Sequence, residues 1–153
     1  MFAFEHRLVG RGWSETHVAD EDNTAVVTAS YLSDALGGLL YAVALATEGQ
    51  PNVRCSFEEE PGEYRWVFDR SVSQVVLRIL AFDDLWNHEP DDAGTLVFET
   101  SQPVLRIARA VASGAQRLLD ETRDDGYLSQ WIRHPFPNVA LMRLRTAIRS
   151  ANV

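Results

Sequence analysis

The spacing of apolar residues changes period along this chain of 153 residues, and the order of those changes limits the folds open to it. Alternating segments come first, in "FAFEHRLV", "WSETHVAD" and "TAVVTA". A period of three to four follows in "SYLSDALGGLLYAVALATEG", alternation returns in "FEEEPGEYRWVFDR", "QVVLRILAF" and "TLVFET", and helical spacing closes the chain. Strand side chains switch faces at every residue, whereas helix side chains return to one stripe every three or four. Strands, helix, strands, helix, with no strict βα alternation, predict an α+β fold. The expected architecture is one mainly antiparallel twisted sheet of about six to seven strands, two long helices on one face and a short helical C-terminal segment. The length fits a single domain, 1–153, able to bury an ordinary core.

Turn chemistry sharpens this outline. Gly10-Arg11-Gly12 separates the first two segments and sets Val9 opposite Trp13, Arg7 opposite Glu15 and Glu5 opposite His17. In "FEEEPGEYRWVFDR", Pro61-Gly62 suits a type II turn over Glu60–Glu63. Folding there pairs Phe57 with Trp66 and Cys55 with Phe68 on one face, and Glu58 with Arg65 and Arg54 with Asp69 on the other. Opposite charges facing across strands stabilise by roughly 0.2–1 kcal/mol each. The clustered glutamates therefore read as strand-face partners and turn solubilisers.

In the first helix Leu32, Leu36, Leu39, Val43 and Ala46 form the stripe, Ser30 is the expected cap and Gly49 the stop. Gly37-Gly38 reads as close packing against the sheet. "QVVLRILAF" is apolar on both faces and is expected to be a central, covered strand. The second helix is predicted to start at Thr100 or Ser101 with Pro103 in its first turn, burying Val104, Ile107, Ala108, Val111, Ala115 and Leu118. "GYLSQWIRHPFPNVALMRLRTAIRS" reads as two short helices broken at Pro135 and Pro137, with His134-Pro135-Phe136-Pro137 a stiff aromatic turn.

Composition removes several functional classes. A net charge of −8 argues against a nucleic-acid partner, which needs clustered positive charge. All 14 basic residues are arginine, as GC-rich bacterial coding produces. With no lysine, a P-loop and a Schiff-base mechanism are excluded, and no serine sits in a Gly-x-Ser-x-Gly elbow. Cys55, the one cysteine, falls on the apolar side of its strand and reads as a structural thiol. His6 and His17 fall on opposite faces of the first hairpin, and the acidic stretch from Asp83 lacks an EF-hand's spacing, so neither metal nor cofactor is expected. Glu5, His6 and Arg7 interrupt any signal-peptide core and no window is long and apolar enough for a membrane helix, so the expected location is cytoplasmic.

The longest irregular segment is "DDLWNHEPDDAG". It places an aliphatic and an aromatic residue inside a rim of carboxylates, the composition of a protein-binding patch. The candidate partner-binding set is Asp83, Asp84, Leu85, Trp86, His88, Asp91 and Asp92. "ASYLSDALGGLL", "EPGEYRWVF" and "GYLSQWIRHPFP" together resemble a family of short, uncharacterised bacterial proteins, similar in size and acidity to immunity proteins of toxin systems. The expected function is thus a non-catalytic, cytosolic protein-interaction protein with a basic protein partner, in its sharpest form an immunity protein. The alternative is a small-molecule binder or enzyme with a pocket between sheet and helices, using Glu59, Tyr64 and a histidine.

Overall fold

The computed structural model describes residues 1–84, 86 and 88–151. Strands β1 (Ala3–Val9), β2 (Trp13–Ala19) and β3 (Thr24–Ser30) form one antiparallel sheet in that order. Helix α1 (Ala35–Glu48) follows, and β4 (Asn52–Glu58), β5 (Glu63–Ser71), β6 (Gln74–Phe82) and β7 (Thr95–Pro103) form a second antiparallel sheet, again in chain order. Helices α2 (Val104–Trp131) and α3 (Asn138–Ala151) complete the α+β architecture. The expected single sheet is therefore corrected to two, because β4 returns from α1 to pair with β5 and is no hydrogen-bonded neighbour of β3. Among the described residues no helix is long and apolar enough to cross a membrane.

Both sheets turn one face into a common core. The three-stranded sheet contributes Phe4, His6, Thr16, Val18, Val27 and Ala29; the four-stranded sheet contributes Phe57, Trp66, Phe68, Leu77, Ile79 and Phe98. The two meet where Phe2 packs on Phe98 and His6 lies edge-on to Phe57, with ring centroids 6.5 and 6.2 Å apart. Helix α1 packs on β4 and β5, α2 on β1 and β7, and α3 on both helices, so the long helices do not share one face of one sheet. The predicted stripe of α2, Val104 to Leu118, is buried as read. Burying a large apolar side chain contributes about 1.5–3 kcal/mol, which makes this shared core the main source of stability.

Tertiary pairing moved several element ends. Ser30 stays in the sheet opposite Trp13, so the cap of α1 is Asp34, whose carboxylate accepts the Gly37 amide at 3.1 Å. Gly49 ends the helix in the left-handed conformation, as expected. Thr100 and Ser101 do not begin a helix, because they pair with Leu77 and Val76; α2 starts only at Val104. The expected short helix at "GYLSQW" is present as the last part of α2, set off from the rest at Arg123, whose φ of 59° and ψ of 171° are non-helical. The chain then breaks over 132–137, at the expected prolines, before α3.

The two hairpins differ in outcome. The first has the predicted register, Val9 with Trp13 and Glu5 with His17. In the second the turn spans Glu59–Gly62, closed by the Glu59 amide on the Gly62 carbonyl at 2.7 Å, with a cis Glu60–Pro61 bond. That turn sits one residue earlier than predicted, so each pair slips by two. Phe57 faces Tyr64, Cys55 faces Trp66, Ser56 faces Arg65 and Arg54 faces Val67. A slip of two preserves the faces. Phe57 and Trp66 accordingly still share the core face, with ring centroids 5.0 Å apart.

Candidate functional site

The outer face of the four-stranded sheet is built from charge. Arg78 pairs with Asp69, and Arg65 pairs with Glu63 at 3.2 Å. A small apolar patch of Val67, Leu80 and Phe82 lies among them, with the Arg65 guanidinium 4.2 Å from the Phe82 ring centre. The returning half of the 83–94 loop is fixed onto this face. Asp91 accepts from Arg54 Nε at 2.9 Å and from Arg65 Nη1 at 2.9 Å, and Arg65 also donates to the Glu89 carbonyl at 2.7 Å. The hydrogen bonds from Arg54, with those from Arg65 behind them, hold the Asp91 carboxyl below the usual carboxylate range. Arg54 was expected to pair with Asp69 and Arg65 with Glu58; both instead converge on Asp91, because the slipped register sets Arg54 opposite Val67 and Arg65 opposite Ser56, which makes the two arginines diagonal neighbours on their shared face.

The outgoing half of the loop behaves differently. Asp84 accepts the Trp86 amide at 2.8 Å, an Asx-type turn that directs the chain locally. The Trp86 side chain is 71% exposed. Asp83, His88 and Asp92 are exposed as well, and His88 has a positive φ of 48°. Leu85 lies outside the described residues. Of the seven candidates, then, Asp91 is a brace turned onto the sheet, while Asp83, Trp86, His88 and Asp92 face solvent.

Chemistry-bearing side chains elsewhere are dispersed. His6 is buried, hydrogen-bonded through Nδ1 to the Thr16 hydroxyl at 2.7 Å, and stacked on Phe4. Burial pushes its pKa down to about 4, so it is a neutral core ring. His17 lies on the opposite face, beside Arg7 and Glu15. Burial, with Glu63 nearby, pushes the Cys55 thiol up, the reverse of what a nucleophile requires. Glu59 accepts from Thr28, and burial, then Glu59, raises the Tyr64 phenol. Among the described residues no three His, Cys, Asp or Glu side chains are placed to hold a metal ion.

A second surface lies between sheet and helices, and Glu59 and Tyr64, the residues expected at such a pocket, are not among its walls. A groove of about 930 Å³ runs between one side of α1, strand β4 and the 134–140 segment. Its walls include Gly38, Ala42 and Leu45 of α1, Val53 to Ser56 of β4, and His134 to Ala140. One end is polar. Asp34 is half-buried there, its carboxyl raised by burial, and the His134 Nε2 and Ser33 Oγ atoms are buried with no hydrogen-bond partner among the described residues. The Asp34 carboxylate occupies the space that a Cβ on Gly37 would need, whereas nothing lies within 4 Å of one on Gly38. The doubled glycine thus serves the cap and the groove; the sheet packing expected of it is not what it does.

The far wall of the groove is held under strain. Ile132 has φ 84° and ψ −59°, and the Arg133 amide returns to the Trp131 carbonyl at 3.1 Å, a γ-turn of the rare positive-φ kind. The Asn138 amide returns to the Phe136 carbonyl at 2.8 Å across Pro137. Phe136 is buried edge-on to Tyr127 at 5.3 Å, and Trp131 Nε1 donates to the Ser33 carbonyl at 3.1 Å, tying the turn to the entry of α1. Backbone strain of this sort, at about 1–3 kcal/mol per residue, persists where surrounding contacts over-determine it and clusters at functional sites.

Compared with family models, curated proteins and solved structures, the chain has no match.

Proposed function

We propose that this chain is a non-catalytic protein-interaction protein that presents Trp86, within the acidic 83–92 loop, to a basic protein partner. The carrying observation is the division of labour inside the loop. Asp91 clamps its return to Arg54 and Arg65, while Trp86 stands 71% exposed. Large exposed aromatics are the usual anchors of interfaces, and a loop fixed before binding loses less conformational freedom when it binds. The net charge of −8 supports a partner of opposite sign, and Asp83, Asp84 and Asp92 supply the local field. The sharpest form of the reading is an immunity protein masking a basic toxin enzyme.

An immunity protein of this kind is expected to be encoded beside its toxin, so stopped-flow association with the purified product of the gene immediately upstream tests this. Replacing Asp83, Asp84 and Asp92 by Asn should slow association about tenfold and leave dissociation nearly unchanged, and added salt should reproduce the effect on the parent protein. An association rate indifferent to both changes would remove the loop from the interface.

A further inference from the structure

We propose that the groove beside α1 receives an extended peptide, added antiparallel to β4 as a further strand, with alternating apolar side chains and a basic residue at its N-terminal end against Asp34. This site is separate from the Trp86 loop and does not rest on it.

The backbone of β4 carries the inference. The Arg70 amide donates to the Pro51 carbonyl and the Glu59 amide to the Gly62 carbonyl, at the two ends of the β4–β5 ladder. Hydrogen-bonded pairs alternate along an antiparallel ladder. The residues aimed at β5 are therefore Val53, Cys55 and Phe57, and the N–H and C=O groups of Arg54 and Ser56 point off the sheet edge. Arg54 and Ser56 line the groove, and among the described residues those groups have no backbone partner. A row of paired donors and acceptors at strand spacing is a template that another strand matches.

The walls decide which strand. Helix α1 and the 134–140 segment flank the edge, so the whole sheet of a second copy would have to clear both. A single extended segment fits. Side chains on the Val53 and Cys55 side would enter the apolar space lined by Ala42, Leu45 and Phe136, and alternate ones would face solvent. Helix α1 and β4 run antiparallel through the tight turn at Gly49–Pro51, which brings Asp34 near the Ser56 end of the strand. An antiparallel guest starts at that end. Asp34 accepts the Gly37 amide and lies within electrostatic reach of the His134 ring, so a cation on the guest would join one histidine as its counter-charge.

The probe is the peptide Arg-Gln-Val-Ser-Val-Gln, which carries its arginine and both valines on one face, with a C-terminal fluorescein, followed by fluorescence polarisation and by amide hydrogen exchange of the protein. Saturable binding is expected, with exchange at Arg54 and Ser56 slowed about tenfold in the complex. A version with Glu in place of Arg, or Asp34→Asn (which keeps the cap), should bind about fivefold more weakly, and a version N-methylated at alternate residues about tenfold more weakly. Gly38→Trp should fill the groove and abolish binding, with its melting curve confirming the fold. Equal binding of the N-methylated peptide, or unchanged exchange at Arg54 and Ser56, would overturn the added strand and leave a small-molecule recess. No binding of either charged peptide to the parent protein would overturn it as well.

Discussion

On the inner face of the four-stranded sheet Phe57, Trp66, Phe68, Leu77, Ile79 and Phe98 are fully buried against the other sheet and the helices. On the outer face of the same strands, Arg54, Arg65 and Arg78 pair with Asp91, Glu63 and Asp69 around the small patch of Val67, Leu80 and Phe82. The inner face gains its stability from area removed from water. The outer face gains less of that: its Arg54–Asp91 and Arg78–Asp69 pairs are partly solvated, and such pairs are worth about 0–1 kcal/mol each; it gains geometry, fixing where the 83–94 loop returns. Two tryptophans mark the contrast, Trp66 with no exposed surface and Trp86 largely exposed.

The largest effect should come from the inner ring. Trp66→Ala is expected to cost roughly 3–5 kcal/mol of unfolding free energy in a urea titration. A loss below about 1 kcal/mol would mean that the inner face is not the packed one.

The junction of the two sheets should respond to pH. The folded-state pKa of His6 lies below its unfolded value of 6.5, at about 4. A neutral buried histidine contributes fully above the unfolded pKa, and that contribution is lost as pH falls from 6.5 towards 4, by on the order of 3 kcal/mol. Urea midpoints at pH 7, 5.5 and 4 should therefore fall more steeply for the parent protein than for His6→Gln. Parallel slopes would show that the ring is not held neutral by burial.

The outer face should give less. Asp91→Asn is expected to cost about 1 kcal/mol globally, because the pairs it breaks are partly solvated. Its main effect should be local, with faster amide exchange over residues 89–94 and no change at Trp66 or Phe68. A global loss matching that of Trp66→Ala would erase the distinction between the faces.

Which features could be read from the sequence follows the same divide. Alternation assigns faces, so Phe57, Trp66 and Phe68 were placed inward correctly even though the register was off by two. Gly10 and Gly12, at φ 61° and 81°, bracket a turn with one solution, and that register was read correctly. Glu59-Glu60-Pro61-Gly62-Glu63 admits two turns of the same parity, and nothing local chooses between them. Thr100 and Ser101 carry a helix-start pattern that pairing with β6 overrides. The acidic loop was legible as a loop with an aromatic; that Asp91 would fold back was not, since its two arginines lie 37 and 26 residues away. The groove depends on β4 being an edge and on the 132–138 turn standing over it. Both are properties of topology, invisible to local pattern; only the doubled glycine and "HPFP" marked its walls.

The most direct test of the central claim replaces Trp86 by alanine and measures two quantities on the same preparation, the urea midpoint and the affinity for the product of the gene immediately upstream. A ring displayed from a clamped loop supports none of the core, so the midpoint should move by no more than about 0.5 kcal/mol of stability while binding is lost. A stability loss approaching that of Trp66→Ala, or affinity equal to the parent protein's, would contradict the account.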